Sequence, residues 1–112
     1  MSAITTHVLD TALGRPAAGV PVRLEQVRAV GSSTVLATAV TDPDGRVREL
    51  GPDRVEPGDY RLTFDTSAYG ARTEQACFFP EVSVTVTVTE AAQHYHVPLL
   101  LSPFAYSIYR GS

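Results

Sequence analysis

The stretch EVSVTVTVTE (81–90) sets Val82, Val84, Val86 and Val88 against Ser83, Thr85, Thr87 and Thr89 in strict alternation. Successive side chains of a strand point to opposite faces, and β-branched residues suit a pleated, half-buried surface. The segment therefore reads as one strand, valines inward and hydroxyls outward.

Similar but less regular runs flank it. They are ITTHVLD (4–10), GVPVRLEQV (19–27), TVLATAVT (34–41), DYRLTFD (59–65), HYHVPLLL (94–101) and FAYSIYR (104–110), with a further short strand beginning at Arg46. Turn chemistry separates them: GRPAAG before the second run, DPDG at 42–45, EPGD before Tyr60, and Ser102-Pro103 between the last two. Seven to eight short strands punctuated in this way predict an all-β sandwich of two antiparallel sheets. One exception is TSAYGARTEQA (66–76), which predicts a short helix capped by Thr66 or Ser67 and weakened by Gly70.

The totals narrow the function. The 112 residues fit a single domain spanning 1–112, and a 44% hydrophobic fraction with 19% charged residues is that of a globular chain. The basic residues are all arginine and are scattered, so no nucleic-acid or membrane footprint is expected. No apolar run approaches the ~20 residues of a membrane span. The start MSAITTHVLD lacks the pattern of a secretion signal. Cys77 is the single cysteine, so no intrachain disulfide can form, and the cytosol is the expected compartment.

Strand parity then sorts the unusual residues. Tyr95, Val97, Leu99 and Leu101 form one face of their strand, leaving His94, His96, Pro98 and Leu100 opposite. In the first strand Ile4, Thr6 and Val8 oppose Thr5, His7 and Leu9. In the last, Phe104, Tyr106 and Ile108 are expected in the core, with Ala105, Ser107 and Tyr109 outside. All three histidines can thus sit on outward faces, shared with leucine, proline and tyrosine. Such a mixed face suits contact with another subunit or a ligand. Taken singly, each feature is ordinary: a surface histidine is usually only that, and the arginine of DPDGR is usually solvated. His94-x-His96 without a Cys, Asp or Glu partner is a weak metal signal, and no metal is expected.

Several blocks occur together: THVLDTALGRPAAGVPVRLE (6–25), TDPDGR (41–46), FFPEV (78–82), HYHVPLLLSP (94–103) and the closing YRGS (109–112). In this order they resemble the 5-hydroxyisourate hydrolases, transthyretin-related enzymes of purine breakdown. The resemblance runs from His7 to Ser112. Transthyretin itself, a hormone carrier, shares the LSP-x-x-Y-S stretch but lacks YRGS, the histidines matching His7 and His96, and the arginine matching Arg46. The resemblance implies a transthyretin-like sandwich and cofactor-free hydrolysis of 5-hydroxyisourate to 2-oxo-4-hydroxy-4-carboxy-5-ureidoimidazoline. It also implies a homotetramer, a dimer of dimers with its sites in the groove between them.

By the same carry-over, His7 and His96 are the acid–base pair and Arg46 orients the substrate and stabilises its negative charge. Ser112 contributes a hydrogen bond through its hydroxyl or terminal carboxylate, and Tyr109, Arg110 and Gly111 complete the substrate-binding wall. A histidine side chain exchanges protons near neutral pH, and a guanidinium offers a permanent planar fork of donors. The competing readings are a non-catalytic ligand carrier of the same fold and a structural sandwich module.

Overall fold

A computed structural model describes residues 1–112. Nine strands and one helix follow in the order β1 (Ile4–Asp10), β2 (Arg15–Pro16), β3 (Pro21–Ala29), β4 (Ser32–Val40), β5 (Arg46–Val47), β6 (Gly58–Phe64), α1 (Thr66–Arg72), β7 (Val82–Val88), β8 (Tyr95–Ser102) and β9 (Ala105–Ile108). One sheet has the order β2-β1-β8-β9, with β5 also paired to β1; the other has β4-β3-β6-β7. The two sheets enclose the core, and the transthyretin-like sandwich expected from the sequence is the fold observed.

The alternating valines behave as their period demands. Val82 and Val88 are buried, Val84 and Val86 pack against the core from the edge, and the intervening Ser83, Thr85 and Thr87 are exposed. Tyr60, Leu62 and Phe64 of β6 face Val22 and Leu24 of β3 on the same inner surface. From the other sheet come Ile4 and Val8 of β1 with Tyr95, Val97, Leu99 and Leu101 of β8. Thr6 lies among them, fully buried, because its hydroxyl donates to the Val97 carbonyl at 2.6 Å. Every buried side-chain nitrogen and oxygen has a partner.

Five details differ from the sequence expectation. β1 and β8 run parallel, Thr5 opposite His96 and His7 opposite Pro98, so this sheet is mixed rather than wholly antiparallel. They are joined by a long excursion through the other sheet, which removes the antiparallel constraint of a hairpin. The additional strand is β2, two residues of the GRPAAG segment laid back on Leu9 and Asp10.

The helix stops at Arg72 rather than Ala76. Glu74 takes a left-handed φ of 56°, and the amides of Glu74 and Gln75 donate back to Ala71 and Gly70, a Schellman-type stop. Its cap is Asp65, whose Oδ1 accepts from the amide of Ala68 at 3.0 Å, not Thr66 or Ser67.

The last strand also departs. Phe104 is 70% exposed and Tyr106 42% exposed, and only Ile108 packs against the core. Phe104 lies in the β8–β9 turn beyond the paired residues, and β9 is an outer strand of its sheet. Parity fixes which residues share a face but not whether a second layer covers it.

Candidate active site

The outer face of the β1–β8 sheet gathers the chemistry. Period two puts Thr5 and His7 of β1 on that face with His96 and Pro98 of β8. Arg46 on β5 is the direct partner of His7 in the antiparallel β1–β5 pair. Three short strand segments thus bring two histidines and a guanidinium together from positions far apart in the chain.

The DPDGR turn sets Arg46 in place. Asp42 Oδ1 accepts from the amides of Asp44 and Arg46, each at 2.9 Å, and its Oδ2 meets Arg48 Nη1 at 3.2 Å. The Arg46 amide, foremost, and then that of Asp44 hold the Asp42 carboxyl below its usual range, with Arg48 and Arg46 adding to them against the cost of burial. Gly45 (φ 78°) lets the turn close onto β1: a Cβ there would lie 2.4 Å from the Val8 carbonyl oxygen. The same turn presents the Asp44 carbonyl to His7 Nε2 at 2.9 Å. A carbonyl only accepts, so His7 carries hydrogen on Nε2, and in the neutral ring Nδ1 keeps its lone pair.

A cleft of about 170 Å³ opens beside this cluster. Thr5, Arg46, Arg48, His94, His96 and Ser112 are among the residues that line it. His7 stands at its margin rather than in its wall, two residues beyond Thr5 on the same face of β1. His96 is half-buried, with Nδ1 2.8 Å from Thr5 Oγ1. Burial, foremost, and then the positive charge of Arg46, His7 and His94 push the His96 imidazole below its usual pKa, favouring the neutral ring.

The closing segment is ordered against the same strand. The Gly111 amide donates to the His96 carbonyl at 2.8 Å, which sets Ser112 at the cleft. Tyr109 and Arg110 are placed elsewhere. They line a separate cleft at the sandwich edge with Val84, Val86 and Ile108. The Arg110 guanidinium stacks 4.7 Å from the Tyr95 ring centroid and donates to Gln93 Oε1 at 3.1 Å. For Arg110, strand alternation explains this: Gly111 shares the register of His96, so its neighbour Arg110 faces the opposite way.

Two cleft residues, Thr5 and Arg48, carry no mark in the sequence, and His94 is equally compatible there with an ordinary surface histidine. Their signal was available as period two, with Thr5 two residues before His7, Arg48 two after Arg46, and His94 two before His96. Threonine and arginine on strands are too common for that spacing to have marked them.

Fold and cleft together define a class: a two-sheet sandwich that carries paired histidines and an arginine on the outside of one sheet. The chain belongs to the HIUase/Transthyretin family, whose model matches residues 4–111. The 5-hydroxyisourate hydrolase of Mus musculus is 47% identical over 113 residues, covering 99% of this chain and 96% of the mouse protein. The structure of Klebsiella pneumoniae 5-hydroxyisourate hydrolase superposes with a TM-score of 0.85 at 33% identity, covering 97% of this chain and 98% of that one. Transthyretin from Sparus aurata superposes with a TM-score of 0.91 at 32% identity, covering 99% of this chain and 97% of that one. The backbone therefore matches both branches of the family, and the side chains of the cleft must decide between them.

Proposed function

We propose that the protein hydrolyses 5-hydroxyisourate to 2-oxo-4-hydroxy-4-carboxy-5-ureidoimidazoline, without a cofactor. The observation that carries this reading is the convergence of His96, Arg46 and Ser112 on one cleft with His7 at its rim. A binding groove needs no acid–base pair, whereas opening a cyclic amide-like bond does.

The hydrogen bonds of the two histidines and the placement of the other groups support a role for each. His7, with Nε2–H occupied by Asp44, offers the Nδ1 lone pair as general base to the attacking water. The water oxygen bonds to the ring carbonyl carbon, whose oxygen gains negative charge facing the Arg46 guanidinium. The carbon–nitrogen bond then breaks, and the departing nitrogen, hydrogen-bonded by the His96 Nε2–H, takes the proton that His7 removed from water, so both rings end neutral. Ser112 hydrogen-bonds the substrate. Gly111 holds His96 against the closing segment, and Arg110, stacked on Tyr95 beside Tyr109, fixes that segment rather than touching substrate.

We further propose that the working form is a homotetramer. A cleft of about 170 Å³ falls short of the ~300–1,000 Å³ of an ordinary ligand pocket, so a second copy laid on this face would supply the remaining walls. The apolar edge cleft lined by Val84, Val86 and Ile108 lies between the outer strands β7 and β9. Their unpaired backbone groups suit edge-to-edge pairing into the constituent dimer. Light scattering on the eluted protein tests this, with a monomer at working concentration as the opposing result. A reducing compartment such as the cytosol suits the single free thiol of Cys77.

The decisive assay generates 5-hydroxyisourate from urate with urate oxidase and follows its ultraviolet absorbance. Decay no faster than the spontaneous rate removes the hydrolase reading; binding without turnover identifies a carrier. His7→Ala and His96→Ala should each lower the rate on the order of 10²–10⁴-fold while the fold persists.

A further inference from the structure

The Thr5 hydroxyl sits between two imidazoles, 2.8 Å from His96 Nδ1 and 3.0 Å from His94 Nε2. The two rings are stacked, 20° from parallel with centroids 6.4 Å apart. Thr5 is 4% exposed, so its hydroxyl depends on these two partners. It owns a single hydrogen and can donate to only one of them. In a fully bonded arrangement the other ring must donate to it.

We infer that Thr5 and His94 are positioning residues that set the tautomer of His96: His94 Nε2–H donates to Thr5, and Thr5 donates to His96 Nδ1. His96 then carries its own hydrogen on Nε2. The ring is held along both sides, Nδ1 by Thr5 and Cδ2 by Gly111, where a Cβ would come within 2.7 Å. Nε2 lies at the remaining open end and makes no hydrogen bond within the chain. It is the donor that a departing nitrogen requires. This inference rests on the hydrolase reading for its purpose, but its geometry exists without substrate.

The direction of the relay follows from exposure and charge. His94 is exposed, where water stabilises its charged form, and His96 is half-buried. Around His96 stand Arg46 and Arg48 from β5 and the residue after it, His7 from β1, His94, the Met1 amino group and Ser112. The Met1 amino group is paired with Glu49 at 3.4 Å, and Arg48 with Asp42. A charged His94 has hydrogen on both nitrogens and can only donate, which leaves one direction for the Thr5 hydrogen. Once His94 loses its proton, the reverse direction also opens, and the preference for hydrogen on His96 Nε2 weakens.

Long-range proton–nitrogen NMR on the full ¹⁵N-labelled chain reads each ring's tautomer directly. The expected result is the Nε2–H form of the neutral His96 ring. Thr5→Val should abolish that preference and lower kcat about 10-fold at little change in KM, by loosening an aligned donor. Thr5→Ser should restore both. His94→Phe should leave His96 with a mixed tautomer, and it provides a second variant should Thr5→Val fold poorly. A hydrogen on His96 Nδ1 in the unaltered protein, or a Thr5→Val variant with an unmoved tautomer, would overturn the inference. If the tautomer behaves as expected but 5-hydroxyisourate is not turned over, the hydrolase reading fails and the positioning stands.

Discussion

Gly111 and His96 are joined by one backbone hydrogen bond of 2.8 Å, and a methyl group on Gly111 would lie 2.7 Å from the His96 ring. The closing segment is thus laid onto the strand that carries a proposed catalytic imidazole, and glycine is what permits the approach. The backbone of Gly111 is not left-handed, so its requirement is for space rather than for conformation. Gly111→Ala must push either the ring or the segment bearing Ser112 out of place. The expected outcome is a fall in kcat/KM on the order of 10²-fold, with a thermal midpoint close to the parent's. A fully active Gly111→Ala protein would show that the contact is incidental.

Arg46 should be felt by His96 before any substrate arrives. Its positive charge is, after burial, the leading cause that holds the His96 imidazole below the ordinary value near ~6.5. Arg46→Gln removes that charge, so the His96 midpoint should move upward, towards easier protonation. An NMR titration of His96 in the two proteins measures the shift. A midpoint that stays or falls contradicts the electrostatic account of the cleft.

Asp10 ties β1 to the helical segment, away from the cleft. Its carboxylate is 2% exposed and accepts from the amides of Ala12 and Leu13, from Tyr69 at 2.6 Å and from Gln75 at 3.0 Å. Burial is the largest single influence and opposes ionisation, yet these four bonds together hold the carboxyl below its usual value. The same contact, with burial, pushes the Tyr69 hydroxyl up to about 12. A depressed carboxyl stabilises the folded chain above its unfolded pKa of about 3.9, and the contribution is lost as pH falls through the folded value. Tyr69→Phe should cost about 1–3 kcal/mol in urea unfolding at pH 7. Asp10→Asn should flatten the loss of stability as pH falls below the unfolded carboxyl value, whereas an unchanged acid limb would assign that loss to other groups.

The helix offers a smaller and independent test. Asp65 caps α1 through bonds from the Ala68 amide at 3.0 Å and the Ser67 hydroxyl at 2.9 Å. Asp65→Ala should destabilise the chain by about 1 kcal/mol without touching the rate of 5-hydroxyisourate decay. A change in rate would mean that the helix communicates with the cleft, which lies on another part of the fold.

Much of this was legible in the residues. Alternation in β7 and β8 placed Val82, Val88, Tyr95 and Val97 inside, and both are long, regular runs where period two leaves one answer. The helix end was less legible, because Thr73 to Ala76 are acceptable helical residues. Only the left-handed turn at Glu74 stops them.

Amino-acid order alone determined most of the strands, which residues of each share a face, and the outward placement of His7 and His96, since side-chain direction is a local property of an extended backbone. Tertiary structure alone decided what met what. It paired β1 with β8 in parallel, set Thr5 between His94 and His96, turned Arg110 onto Tyr95, and left Phe104 uncovered. Those outcomes depend on register between distant strands and on where the opposing layer ends. Neither is encoded within any one segment.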